Sequence, residues 1–202
     1  MSLKSLTAAP LIAAALALSA CVTAPSPDQV RAPQPLKPID PERFYTGRWL
    51  EIARLPMSLT DGCVAGATNY VVVNPTRVDV RDTCQLGTPQ GREKAIGGRG
   101  EILDPGMNTK LRVRYFAGLI TWDYWVLDHA EDYSWFISAD PTFDKLWIYT
   151  REVPNAAERA RRNAAVIMPP ALSPNPKLFA KVATKLSSST PQNIAGSRNL
   201  AA

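Results

Sequence analysis

From Arg48 to Arg151, apolar and polar residues alternate over short stretches, and each stretch is cut off by Gly, Pro, Asn or Asp. A period of two places successive side chains on opposite faces of a strand, so each stretch predicts a strand with one face turned to a core. Eight such segments follow one another: RWLEIARL, VAGATNYVVV, RVDVRDTC, KAIGGRGEI, KLRVRYF, DYWVLD, YSWFISA and KLWIYTR. Turn residues at Asn74-Pro75-Thr76, at Asp104 through Asn108 and at Asp140-Pro141 make neighbours in sequence antiparallel neighbours in space. The expected fold is all-β: an eight-stranded antiparallel up-and-down β-barrel.

After Arg151 the pattern changes. PNAAERARRNAAV is alanine-rich, with Asn155 and Glu158 close to a capping box, and predicts one α-helix packed outside the sheet through Ala157, Ala160 and Ala164. Pro169-Pro170 ends it, and KLFAKVA is read as a short last strand. The chain therefore divides into a leader at 1–20, a proline-rich linker at 21–41, a barrel with its helix at 42–183 and a tail at 184–202. That tail is polar and aperiodic, with too little apolar surface to offset the entropy of ordering, and disorder is expected there.

The leader has one cation, Lys4, the apolar run from Leu11 to Leu18 and a small-residue exit, which together make an export signal. Its apolar run is too short to span a bilayer. Leu18-Ser19-Ala20-Cys21 resembles the bacterial lipobox, which implies acylation of Cys21 and tethering to a membrane outside the cytoplasm. Cleavage at a plain A-x-A exit is the alternative. With Val22 and not aspartate after the cysteine, the resemblance implies the outer membrane, with the protein facing the periplasm. Prolines from Ala24 to Pro41 forbid helix and ladder, so an extended spacer is expected to lift the barrel off the membrane.

The formal charge of +5 is spread over both signs, so nucleic acid is not an expected partner. Cys63 and Cys84 form an even pair in an oxidising compartment, and folding the hairpin about Asn74–Thr76 brings them opposite one another, so a disulfide is expected. His129, the one histidine, has no second histidine or cysteine beside it and reads as a turn residue. No metal set, nucleophile motif or cofactor signature is present. Asp128 and Glu51, if turned inward, are the remaining candidates for a buried base.

Gly47-Arg48-Trp49 on the first strand, Glu131-Asp132-Tyr133 at the turn between the sixth and seventh, and Arg151 after the eighth resemble, in order and spacing, the signature positions of the lipocalin family. The segments WLEIARLP and YWVLD through DKLWIYTR are most similar to bacterial outer-membrane and apolipoprotein D-like members. Glu131 departs from the family's threonine. The resemblance implies a cup closed by Trp49 with the Arg151 guanidinium on its indole, a structural pair and not a catalytic one. It also implies a ligand, a fatty acid or a lysophospholipid, stored or carried in the cell envelope, with a filled-barrel scaffold or a lipocalin-type enzyme as the alternatives.

Alternation assigns the inner wall to Thr68, Tyr70, Leu111, Val113, Tyr115, Tyr124, Val126, Trp147 and Tyr149, with Arg112 and Arg114 outside. The motif match adds Trp135 to the wall. Rings with hydroxyl tips suit an apolar ligand with a polar end, although each tyrosine could equally serve packing alone. Met57, Leu59, Leu119, Ile120 and Trp122 lie in or beside the loops expected at the mouth, where apolar side chains mark either contact with a ligand or a membrane, or a rim folded over itself.

Overall fold

Between the second and third strands the Asn74 side chain accepts from the Thr76 backbone N–H at 3.1 Å. That local bond reverses the chain within two residues. The computed structural model describes residues 27–152, 176–188 and 192–193. Its strands are β1 (Gly47–Arg54), β2 (Cys63–Asn74), β3 (Arg77–Leu86), β4 (Glu93–Ile102), β5 (Lys110–Tyr115), β6 (Ile120–His129), β7 (Trp135–Ala139) and β8 (Leu146–Thr150). Each pairs antiparallel with the next, and β1 pairs with both β2 and β8, so the sheet closes into an eight-stranded barrel.

Two apolar clusters result, one on each side of the sheet. The inner one holds Trp49, Tyr70, Leu111, Tyr115, Phe136, Trp147 and Tyr149. The outer one lies against β1, β6, β7 and β8 and holds Trp125, Leu127, Ile137 and Ile148. It is covered by helix α2 (Pro176–Ser187), whose Leu178, Val182 and Leu186 are buried in it. Those three recur every fourth residue, the spacing of one helical face.

The strand expected at KLFAKVA is thus a helix, and the helix continues past Thr184 into the segment expected to be disordered. Beyond it a two-residue strand β9 (Gln192–Asn193) pairs with Ala53 and Arg54. The helix predicted over 154–166 lies outside the described residues, as do the leader and Cys21. Among the described residues no helix is long and apolar enough to cross a membrane.

The linker from Pro27 to Asp40 is not a free spacer. Arg31 and Ala32 donate from their backbone N–H groups to Pro141 O at 2.9 and 3.0 Å, and Ala32 is buried in the outer cluster. At the far end Lys37 pairs with Asp128 at 2.8 Å, and Ile39 N donates to Met107 O at 2.9 Å. Prolines keep this strap extended without ladder partners, and the outer cluster supplies the apolar surface that holds it. A one-turn helix α1 (Pro41–Phe44), capped by Asp40, then carries the chain under the barrel.

Of the register shifts in the sheet, those in β1 and β6 reset the alternation where it matters most for the site. One, between Val126 and Asp128, pairs Asp128 with Ile137 and turns its carboxylate out to Lys37, so the inward placement that a buried base would need is not met. The same bulge sets His129 opposite Phe136, where the ring is buried between Phe44 and Tyr133. His129 is therefore the end of a strand and not a turn residue. Trp135 is also corrected: its neighbour Phe136 faces the interior, stacked on Tyr149 at 4.6 Å, while Trp135 packs in the outer cluster.

Candidate functional site

At the end of the barrel where β1 begins, the indole of Trp49 is fully buried and donates to Phe44 O at 3.1 Å. The Arg151 guanidinium carbon lies 3.6 Å from the centre of the Trp49 ring system. It also donates to Thr46 O at 2.7 Å and Arg48 O at 3.1 Å, tying β8 to the entering chain. Gly47 makes this possible with a φ of 62°, and a Cβ there would stand 3.7 Å from the guanidinium. Phe44 and Phe136 complete the plug, with ring centroids 5.2 and 4.6 Å from Trp49. This end is sealed by rings and one arginine.

Above the plug, Tyr70, Leu111, Val113 and Val126 point inward as alternation predicts and pack in the inner cluster, and none of them lines the cavity above. Gly98 on β4 lets them pack. A Cβ on Gly98 would come within 2.5 Å of Val113 and 2.8 Å of the Tyr115 ring, so glycine gives that ring its place across the barrel.

The upper half stays open. A cavity of about 70 Å³ is bounded on one side by Trp122, Tyr124, Trp147 and Tyr149 and on the other by Gly66, Thr68 and Asp82. By the measure in which one water needs roughly 10–15 Å³, this is room for a few waters or a short ligand segment. Met57 and Leu59, from the loop after β1, fold in over it, and Lys94 donates from Nζ to Leu59 O at 2.9 Å to hold that loop. The Cys63–Cys84 disulfide closes the same wall, with the two Cα atoms 5.5 Å apart.

Two buried polar sets in this half are centred on Asp82 and Arg54, neither of which was read from the sequence as a site residue. Asp82 accepts from Thr68 Oγ1 and from Tyr115 Oη, both at 2.6 Å, and Tyr115 Oη lies 3.0 Å from Tyr124 Oη. Burial pushes the Asp82 carboxyl above its usual range, and the two hydroxyl donors oppose that rise. The signal for Asp82 was present: it continues the inward parity of Val78 and Val80. The second set arises from the β1 bulge between Glu51 and Ala53, which turns Arg54 inward beside Glu51, where the two form a buried ion pair. Burial raises the Glu51 carboxyl while Arg54 pulls it back. Arg54 further donates to Thr60 O at 3.2 Å and Cys63 O at 3.0 Å, bracing the mouth loop.

Of the ten wall residues expected, Thr68, Tyr124, Trp147 and Tyr149 line the cavity, and Tyr115 supports it through its hydroxyl bonds. Tyr70, Leu111, Val113 and Val126 lie below it, and Trp135 is outside the barrel. Arg112 and Arg114 face out as predicted, paired with Asp123 at 2.7 Å and Glu101 at 2.8 Å.

A family model for the lipocalin-like domain matches residues 39–167. Protein R877 of Acanthamoeba polyphaga mimivirus, described as a lipocalin, is 31% identical over 117 residues, covering 53% of this chain and 64% of the viral protein. This chain thus spans just under two thirds of that relative's length. Insecticyanin of the tobacco hornworm Manduca sexta superposes with a TM-score of 0.53 at 16% identity over 79% of this chain and 82% of its own. Japanin of Rhipicephalus appendiculatus, bound to cholesterol, gives a TM-score of 0.44 at 16% identity over 65% and 93%. At such identities the likeness to these solved structures concerns the fold.

Proposed function

Since the chain belongs to the lipocalin family, whose members are typically carriers of small hydrophobic ligands, we propose that it binds a single-chain lipid, a fatty acid or a lysophospholipid, in the upper half of its barrel. One observation carries this reading. The charged groups behind the cavity are paired, Asp82 with two hydroxyls and Glu51 with Arg54, so the surface left to a guest is mostly apolar. An apolar chain entering between Trp122 and Trp147 leaves water without breaking either of these pairings. Lys94, at the rim, suits an acidic head group left at the mouth. Because the empty space is small, the loop over 55–62 must yield before a long chain seats fully.

The same pairing argues against catalysis. Of the two carboxylates considered as bases, Asp128 is turned outside and Glu51 is held by Arg54. The protein is read as a carrier of the bacterial outer-membrane, apolipoprotein D-like kind, tethered through Cys21 and holding its ligand for storage or transport in the envelope.

A titration tests the ligand. Trp122 and Trp147 should report saturable binding by tryptophan fluorescence, one lipid per barrel, with affinity rising with chain length and then levelling. A response independent of chain length, or none in protein confirmed empty by native mass spectrometry, would instead favour a scaffold with a filled barrel. Cell fractionation tests the tether, because Cys21→Ala should leave the membrane fraction.

A further inference from the structure

Where the strap begins decides how a tethered barrel stands. Its first described residues lie at the mouth and not at the plug. Val30 N–H donates back to Pro27 O at 3.3 Å, and the N–H groups of Arg31 and Ala32 donate to Pro141 O in the β7–β8 turn, which borders the open end. From there the strap runs down the outer wall to Asp128, Met107 and Tyr133 at the plug, where Asp40 N–H donates to Tyr133 Oη at 2.9 Å. The chain that precedes Pro27 therefore leaves from the rim of the cup.

Only six residue steps separate Cys21 from Pro27. Fully extended, they reach no more than about 22 Å. Ten-residue strands such as β3, tilted as barrel strands are, make a wall roughly 25 Å high. An anchor of that reach, starting at the rim, cannot pass the plug and still enter a bilayer beneath it. A free linker starting at Pro41 would be about three times longer and would impose no such limit.

The rim carries a matching surface. In the β5–β6 turn, Phe116 and Ala117 have φ of 49° and 56°, a conformation non-glycine residues seldom adopt, and the turn lifts Phe116 and Leu119 into solvent at 50% and 85% exposure. Neither side chain is needed to close the barrel. Ile120 and Trp122, in the same apolar run, turn inward. Arg92 is exposed on the β3–β4 turn of the same rim.

We propose that the mouth of the barrel faces the membrane that holds the anchor, with Phe116 and Leu119 seated in its interface and the plug pointing away. This orientation rests on the lipid-anchor reading above. Aromatic and aliphatic tips at head-group depth, beside a cation, fit an anionic bilayer surface, and a guest would then pass between bilayer and cavity without crossing water.

The test uses the full-length protein purified from membranes and returned to vesicles of phosphatidylethanolamine and phosphatidylglycerol. Leu119→Cys and, separately, Thr76→Cys at the plug end receive an environment-sensitive fluorophore. Mass spectrometry of the same samples establishes whether Cys21 carries acyl chains. The expected result is a blue-shifted label at 119 that nitroxide lipids quench several-fold more than the label at 76. An acylated protein with both labels in water, or with the stronger quenching at 76, overturns the orientation and leaves the anchor standing. A protein without acyl mass overturns the anchor and the orientation together. Phe116→Ser with Leu119→Ser, at two exposed positions of the turn, should keep the acylated protein on the membrane and reduce quenching of a label at Asp61→Cys; unchanged quenching there would remove these two residues from the contact.

Discussion

The two ends of this barrel are built from the same residue types and behave as different materials. At the plug, the rings of Phe44, Trp49 and Phe136 pack edge-on or tilted against one another, and Arg151 is committed to one ring and several carbonyls. At the mouth, Trp122, Tyr124 and Trp147 stand 4.9 to 6.3 Å apart by ring centroid around an opening, and the charges behind them are paired among themselves. Aromatic content alone therefore does not make a binding site. What separates the ends is whether a ring's free face meets another ring or a void.

If the plug is where stability resides, Trp49→Ala should cost the most, roughly 3–5 kcal/mol as for other large-to-small core changes, read by denaturant melts. Opening the mouth wall should cost somewhat less. Loss of the Cys63–Cys84 bridge by the double serine substitution should lower stability by about 3 kcal/mol, from a loop with a sequence separation of 21. A deficit above that of Trp49→Ala would reverse the ranking of the two ends.

Trp147→Lys sharpens the comparison from the other side. It should weaken lipid binding at least tenfold, about 1.4 kcal/mol, while far-UV circular dichroism stays that of a sheet. Unchanged affinity would move the site away from the aromatic wall.

The smallest effect concerns pH. Because burial raises the Asp82 carboxyl in the folded protein, folding favours its protonated form. Its contribution is fully present below the unfolded value near 3.9 and is lost as pH rises through the higher folded value. Asp82→Asn should remove that part of the slope, so the stability difference between variant and wild type should shift in the variant's favour across that window. An unchanged difference would show that the mouth's polar set carries no such linkage.

The plug was legible because its signals are local: a glycine needing positive φ, a tryptophan two residues on and an arginine closing the last strand. Alternation also placed Tyr70, Leu111, Tyr115 and Tyr149 inside, since their strands have one wet face. It was silent on β7 because that strand is buried on both faces, with all five of its residues buried, and the motif match that was used in its place put Trp135 on the wrong face. It could not foresee the faces of Arg54 and Asp128, because single-residue bulges invert parity without a mark in composition. Leu178, Val182 and Leu186 did announce a helix by their spacing, and β-branched and aromatic neighbours in KLFAKVA obscured it. The strap was hidden by its prolines, which exclude regular structure but not docking.

That strap leaves the ribosome before any strand, yet its partners come late: Lys37 bonds to the carbonyl of His129, 92 residues downstream, and Arg31 bonds beyond it at Pro141. So distant a closure must wait for β6, β7 and the turn after them to exist, which makes wrapping of the barrel a late folding event. Until then the outer faces of Trp125, Trp135 and Ile137 lie bare, a sticky surface that a newly made chain must keep from its neighbours until the strap and helix α2 close over it.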